Sequence, residues 1–188
     1  FSFPNTVYNA AGGHLSIFTK TKGYCATVAN GSQAGIQSIA YAYDVLQKGD
    51  EQVMMACGTD ENSAEIDKLF RAAGAGEGYV LGEGSSALVL ETKSFADGRS
   101  VHKYAEVAGC ALAHSAECSA EALDRAIENA LAKAGASAAE IKAVYGFANG
   151  TSLDEMQKNA VSRYFAGAAV VDVRAETGDC RAASDNYA

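Results

Sequence analysis

Several features are missing from this sequence of 188 residues. It has no tryptophan, only one proline, and no apolar run long enough to cross a bilayer, so we predict no membrane span. Positive charge is also scarce, because 15 lysines and arginines stand against 23 aspartates and glutamates, which gives a net charge of −8. Nucleic-acid binders carry a basic stripe, and we therefore exclude a nucleic-acid partner.

The spacing of cysteine and histidine excludes further classes of site. The five cysteines are scattered, odd in number and without a C-x-x-C pair, which favours free thiols in a reducing cytoplasm over a disulfide framework. The three histidines are isolated, so we predict no metal site. The chain opens at Phe1 without a charged-then-apolar leader, and we therefore expect no secretory signal. The sequence leaves open whether a preceding segment has been removed.

The elements that are present alternate as in an α/β protein. Helical spacing of apolar residues predicts helices over 32–48 and 119–134 and a helical excursion near Phe70, and the capping box from Ser137 to Glu140 predicts a further short helix. Strands are predicted at 24–29, 52–56, 104–112, 143–148 and 170–173, with two strand pieces around a glycine-rich turn within 78–92. Because no linker or low-complexity tract interrupts the pattern, we predict one domain.

Three loops follow predicted strands and carry small or polar residues, at 30–32, 149–152 and 174–179. Loops at the carboxyl ends of strands in an open α/β sheet converge, so the three could share a site. Taken alone, each is more typical of an ordinary turn or helix cap. The glycine-rich stretch at 76–84 leads into a strand rather than a helix, and we therefore predict no dinucleotide cofactor.

Five stretches together resemble the β-ketoacyl synthases. They are AGGHLSI at 11–17, IAYAYDVLQKGDEQVMMACGTDE at 39–61, GEGYVLGEGSSALVLE at 76–91, FANGTSLDE at 147–155 and VRAETGD at 173–179. The resemblance implies an α/β, thiolase-like condensing-enzyme fold, shortened, with a mixed sheet flanked by helices. It covers about half of a full-length synthase. We therefore expect the single domain over 1–188 to correspond to the N-terminal half and to be incomplete at one or both ends.

The same resemblance places altered residues at the family's catalytic positions. Ser32 stands where the nucleophilic cysteine would be, and Arg174 where a lysine would be. Asn149 and Asp179 replace the two histidines, and we expect both to converge on Ser32 at the start of a buried helix. A serine without a base is a weak nucleophile, an amide transfers no proton at neutral pH, and a carboxylate repels an enolate. We expect no catalytic residue here.

The resemblance also implies a role. Chain length factors are silent halves of heterodimers with an active ketosynthase, and the short loop between Gly58 and Gly76 favours the shorter relative of aryl-polyene pathways. We expect an active ketosynthase as partner, the strand at 24–29 at the interface, and acyl carrier protein bound mainly through that partner. Two alternatives stay open: an acyltransferase or thioester hydrolase that uses Ser32 with Asp179 accepting its proton, and a homodimeric scaffold.

Overall fold

Within the residues that the structure describes, four strands form two small sheets. A computed structural model of the protein describes residues 6–76, 78–116, 119–147, 150–151 and 153–186. In the first sheet, β1 (Val53–Asp60) pairs antiparallel with β2 (Gly84–Glu91) over the full length of both strands. In the second, β3 (Ala143–Tyr145) runs parallel to β4 (Ala169–Val171). One sheet is therefore antiparallel and the other parallel, so both strand directions occur among the described residues.

Helices connect and cover the strands. Those in the described ranges are α1 (Ala10–Thr19), α2 (Ala34–Lys48), α3 (Ala64–Ala72), α4 (Lys93–Asp97), α5 (Ala120–Ala134), α6 (Leu153–Tyr164) and α7 (Arg174–Thr177). Short 3-10 turns cover Gly31–Gln33, Ala138–Glu140 and Arg181–Asn186. The predicted helices at 32–48 and 119–134 are confirmed, and the excursion near Phe70 is α3. None of these helices is both long and apolar enough to cross a bilayer.

Local capping explains where several helices begin and end. The side chain of Ser63 accepts a hydrogen bond from the N–H of Ile66 at the start of α3, at 3.2 Å. Ser119 does the same at the start of α5. Two helices end where a glycine takes a left-handed conformation, Gly49 at φ 79° after α2 and Gly135 at φ 63° after α5. The predicted capping box from Ser137 to Glu140 is also present.

Some of the predicted strands are wrong. Residues 24–29 and 104–112 form no strand, because neither segment has a ladder partner among the described residues. Within 78–92 only β2 is a strand, and Leu81 makes a single bridge to Asp179. The residue types favour an extended backbone, but an extended segment becomes a strand only when a neighbouring backbone accepts and donates its hydrogen bonds.

The best-buried part of the molecule lies between α2, β1 and the C-terminal turn. Helix α2 packs across β1, and the turn Arg181–Asn186 packs against both. The contact is built from small and branched side chains, namely Ala40, Ala42, Val45, Leu46, Ala56 and Ala183. Small residues allow these backbones to approach closely. This approach brings the turn Arg181–Asn186 to the start of α2.

One glycine in β1 is required by that close approach. A Cβ atom added at Gly58 would lie 2.1 Å from the carbonyl oxygen of Ala182 and 3.2 Å from the Cα of Ala183. We expect Gly58→Ala to lower the free energy of unfolding by about 1–3 kcal/mol, because two backbones must move apart. Gly167→Ala is the matched control, since no atom lies within 4 Å of its added Cβ. Equal urea midpoints for the two variants would contradict this packing.

Candidate functional site

Ser32 lies at the entrance to a buried helix, as predicted. It is the middle residue of the turn Gly31–Gln33, which leads directly into α2. Gly31 has φ 55°, a conformation that L side chains rarely adopt, and this explains the glycine at the bend. Ser32 itself is half-buried. Its hydroxyl is therefore placed at the positive end of a helix dipole, although no residue near it in sequence could act as a base.

Arg174 and Asp179 form a buried ion pair. The guanidinium Nε of Arg174 lies 3.3 Å from a carboxylate oxygen of Asp179, and the two side chains are only 7% and 1% exposed. Arg174 also donates a hydrogen bond to the carbonyl oxygen of Phe147, at 2.5 Å. The same Asp179 oxygen accepts the backbone N–H of Arg181, at 2.9 Å. Because both side chains are almost completely shielded from water, each charge is compensated by the other rather than by solvent.

The backbone of Asp179 joins this pair to the loop 78–83, which lies in the glycine-rich stretch that resembles the family's signature motif and is called the signature loop. Its N–H donates to the carbonyl oxygen of Val80 at 2.8 Å, and its own carbonyl oxygen accepts from Gly82 at 3.1 Å. A Cβ atom at Gly82 would lie 2.5 Å from the carbonyl oxygen of Thr177 and 2.7 Å from the sulfur of Cys180. The motif therefore needs a glycine at this position to let the two loops touch.

Tyr79 completes the buried cluster from the same signature loop. It is 3% exposed and stacks on Phe70 of α3, with ring centroids 5.6 Å apart. Burial, together with the facing carboxylate of Asp179, raises the pKa of Tyr79 to about 12, while Arg181 and Arg174 oppose that rise. The phenol is therefore neutral at any physiological pH, and it neither supplies nor removes a charge in the cluster.

This pKa gives a prediction about alkaline pH. Because the folded protein holds the Tyr79 proton more tightly than the unfolded chain, the resulting stability is present below pH 10 and is lost as pH rises through about 12. We expect the tyrosinate absorbance of the wild type minus that of Tyr79→Phe to titrate near pH 12. In urea the difference should move to the ordinary value near 10. A difference titrating near 10 in the folded protein would show that Tyr79 is exposed.

A second ion pair joins Arg181, two residues after Asp179, to Asp60 at the end of β1. The guanidinium of Arg181 lies 2.7 Å from one oxygen of Asp60 and donates to the carbonyl oxygen of Glu61 at 2.8 Å. The other oxygen of Asp60 accepts the N–H of Ala182, at 3.1 Å. Arg181 has φ 48°, a rare conformation for a residue with a side chain, and these contacts hold it there. No role was predicted for Asp60, Arg181 or Tyr79, although Asp60 and Tyr79 lie inside stretches that carry the family resemblance.

The structure tests only part of the predicted convergence. It brings Arg174 and Asp179 together, and it packs the turn that contains Ser32 against Arg181–Asn186, the turn that begins two residues after Asp179. Asn149 lies outside the described residues. The neighbouring Gly150 lies close to the signature loop, because its added Cβ would be 2.6 Å from the carbonyl oxygen of Gly78. The meeting of all three side chains remains a prediction.

The open space near this site reaches Asp60 of the second ion pair but does not reach the Arg174–Asp179 pair. A cleft of about 790 Å³ is lined by residues of α1, α2, β1 and the segment 24–29, and Gly31, Ala34 and Ala182 are also in its lining. Neither Ser32 nor Asp179 is among the described residues that line it. A hydrolase that used Asp179 as a base would need an accessible carboxylate, whereas this carboxylate is buried and already neutralised by a guanidinium.

Comparison with known proteins shows which proteins this chain resembles in sequence. No family model matches the chain. It is 29% identical to 3-oxoacyl-[acyl-carrier-protein] synthase 2 of Rhizobium meliloti (strain 1021), over 87% of this chain and 45% of that protein. The chain therefore spans about half the length of the curated relatives that it matches over most of its own length. These relatives support a relationship to the β-ketoacyl synthases.

Solved structures establish the fold. The ishigamide ketosynthase/chain length factor matches with a TM-score of 0.88 and 22% identity, over 96% of this chain and 50% of that one. A type II polyketide acyl carrier protein in complex with its ketosynthase bound to the hexaketide matches with a TM-score of 0.89 and 20% identity, over 98% and 53%. The chain has the thiolase-like fold of the ketosynthases, over about half of their length.

Proposed function

We propose that this chain is a non-catalytic subunit of the chain-length-factor type, which pairs with an active ketosynthase in fatty-acid or polyketide chain elongation. The observation that carries the proposal is the Arg174–Asp179 ion pair. The resemblance puts these two residues where the family has a lysine and a histidine. In this chain both side chains are buried and directed at each other rather than at an open cavity.

The chemistry of condensation explains why this pair argues against catalysis. Decarboxylation of a malonyl thioester develops negative charge on the thioester oxygen, and hydrogen-bond donors aimed at that oxygen stabilise it. A carboxylate at position 179 offers only acceptors, and the guanidinium of Arg174 is occupied by that carboxylate and by the carbonyl oxygen of Phe147. Loss of one such donor typically lowers a rate roughly a hundred- to thousand-fold.

The aryl-polyene type of subunit is the form that we favour. Its support is the compact connection between β1 and β2, which consists of the single helix α3 and the signature loop. We place the protein in the cytoplasm, because Cys25, Cys57, Cys110 and Cys180 are free thiols, as a reducing compartment would keep them.

The segment 24–29 is the interface that we propose for the ketosynthase. It is mostly exposed, and it has no ladder partner among the described residues. An extended segment with unpaired backbone groups invites pairing with another strand, and an obligate dimer removes that liability. The family resemblance supplies the orientation, an antiparallel pair across the two-fold axis.

Co-expression with a ketosynthase that carries an intact Cys-His-His set, encoded beside this chain, tests the proposal. We expect a heterodimer in gel filtration, elongation only when both chains are present, and no activity when the cysteine of the ketosynthase is replaced by alanine. Ala26→Asp should abolish the heterodimer, whereas Ala139→Asp, also at an exposed alanine, should not. Elongation by this chain alone, acyl-enzyme formation on Ser32, or a stable homodimer that ignores the ketosynthase would each refute it.

Charge gives a further prediction, for the acyl carrier protein. The chain has a net charge of −8, and the carrier is itself acidic in this family, so long-range repulsion should slow their association. We expect the carrier to bind the heterodimer but to bind this chain at least tenfold more weakly when the ketosynthase is absent. Surface plasmon resonance at low and high salt measures both affinities. Equal affinity for the isolated chain would contradict the prediction.

A further inference from the structure

Two Asn-Gly pairs in this chain share the same local sequence. Asn30-Gly31 and Asn149-Gly150 are each preceded by an alanine and followed by a small hydroxyl residue, and the chain has no third Asn-Gly pair. An asparagine before a glycine is prone to deamidation, because the backbone nitrogen of the glycine can attack the side-chain carbonyl carbon without a side chain in the way. Since the local sequences match, a difference in rate between the two pairs in the folded protein must come from their surroundings.

The surroundings of Asn30 leave it open to this attack. Asn30 and Gly31 are both exposed and line the 790 Å³ cleft, and the structure describes no hydrogen bond for the Asn30 side chain or for the N–H of Gly31. A Cβ atom added at Gly31 would have nothing within 4 Å. The carbonyl oxygen of Asn30 accepts a long bond from the N–H of Gln33, at 3.4 Å, so the backbone can rotate into the geometry of attack at little cost.

The glycine of the second pair is held in place. The N–H of Gly150 donates a hydrogen bond to a carboxylate oxygen of Asp154, at 3.1 Å. A Cβ atom added at Gly150 would lie 2.6 Å from the carbonyl oxygen of Gly78 and 3.0 Å from the backbone nitrogen of Tyr79, so the chain here packs against the signature loop. Before this nitrogen could attack, its hydrogen bond would have to break and the packed backbone would have to move.

We propose that Asn30 is a site of spontaneous deamidation in the folded protein, and that the hydrogen bond from Gly150 to Asp154 protects Asn149. The nitrogen of Gly31 bonds to the Cγ of Asn30 and loses its proton, the bond between Cγ and the side-chain nitrogen breaks, and ammonia leaves. Water then opens the resulting succinimide at one of its two carbonyl carbons, which leaves either aspartate or isoaspartate at position 30. The reaction consumes one water and involves no oxidant or reductant.

Either product changes the bend that leads into α2. Aspartate adds one negative charge to a chain of net charge −8, and it places that charge at the positive end of the helix dipole, where an anion is favourable. Isoaspartate lengthens the main chain by one carbon atom between the segment 24–29 and α2. The modified chain is therefore separable from the native chain by charge, and its two forms are separable as peptides.

The experiment follows both asparagines by peptide mass spectrometry while the purified chain is incubated in mildly alkaline buffer, which speeds deamidation because the attacking nitrogen must lose its proton. In the folded protein we expect Asn30 to convert at least about threefold faster than Asn149, since breaking one hydrogen bond lowers a rate by that factor or more. In urea the two rates should agree within about twofold, because the matched local sequences then dominate.

Two substitutions test the role of the Asp154 contact, and a third tests the attacking nitrogen. Asp154→Ala releases the N–H of Gly150, and we expect it to raise the rate at Asn149 at least about twofold and to leave the rate at Asn30 unchanged. Asp154→Asn is the matched control, because it also removes the charge but keeps an oxygen acceptor. Gly31→Ala should slow the conversion of Asn30, since a methyl group then stands beside the attacking nitrogen.

Two results on the folded wild type would overturn the proposal: conversion of Asn149 as fast as that of Asn30, or an Asn30 that converts in urea and not in the folded chain. An unchanged rate at Asn149 in folded Asp154→Ala would overturn the protection assigned to that contact. If Asp154→Ala fails to fold, the comparison of the wild type with and without urea decides alone. The experiment needs no ketosynthase, so the inference can fail while the proposed function stands.

Discussion

Ser32→Cys is expected to create a reactive thiol without restoring condensation. A thiol at the start of α2 would lie at the positive end of the helix dipole, which lowers its pKa and favours the thiolate. Transfer of an acyl group from a carrier thioester could then become detectable, because that step needs mainly a nucleophile and oxyanion donors. Decarboxylation also needs donors at the thioester oxygen, and the buried Arg174–Asp179 pair presents none.

The experiment measures the release of labelled carbon dioxide from malonyl-acyl carrier protein by purified Ser32→Cys alone. We expect release at the background level of the wild type, and full activity when an intact ketosynthase is added to the wild-type chain. The ketosynthase with its two histidines replaced is the matched control, since it should also retain a thiol and lose decarboxylation. Robust release by Ser32→Cys in the absence of a ketosynthase would mean that the residues around position 32 can catalyse decarboxylation. The non-catalytic proposal would then fail.

The parts of the fold that the sequence predicts well are those determined locally. Helices α2 and α5 follow from apolar residues at helical spacing, and their ends follow from Gly49 and Gly135. The strands are different, because a strand depends on a neighbour that lies elsewhere in the chain. The segment 24–29 has the composition of a strand and no partner among the described residues, and no local pattern could reveal that.

In the candidate site, likewise, the sequence predicts which residues are present but not which of them contact each other. The resemblance identified Ser32, Arg174 and Asp179 by position, and their assignment to the family's catalytic positions remains a prediction. Their mutual neutralisation could not be predicted, because an Arg five residues before an Asp can point away from it. The roles of Tyr79 and Arg181 depend on the packing of α3 and of the C-terminal turn, which are distant in sequence.

The largest effect on stability is expected from breaking the buried ion pair on one side. Arg174→Met removes the guanidinium and takes this ion pair away from the Asp179 carboxylate, whose side chain is 1% exposed. Breaking a buried pair by removing one partner typically costs about 3–5 kcal/mol, because the remaining charge is desolvated and uncompensated. We expect the free energy of unfolding in urea to fall by that amount, a large share of what a domain of this size possesses.

Arg163→Met is the matched control, because it makes the same substitution in an exposed ion pair. Arg163 forms two hydrogen bonds to Asp124, at 2.8 and 2.9 Å, but its side chain is 52% exposed and that of Asp124 is 20% exposed. Water and salt screen such a pair, so its loss should cost only about 0–1 kcal/mol. The contrast between the two variants separates burial from hydrogen-bond geometry, since the exposed pair has the better geometry and should still matter less. If Arg174→Met proved as mild as Arg163→Met, the pair at the former catalytic positions would be solvated, and Asp179 would be open to a substrate after all.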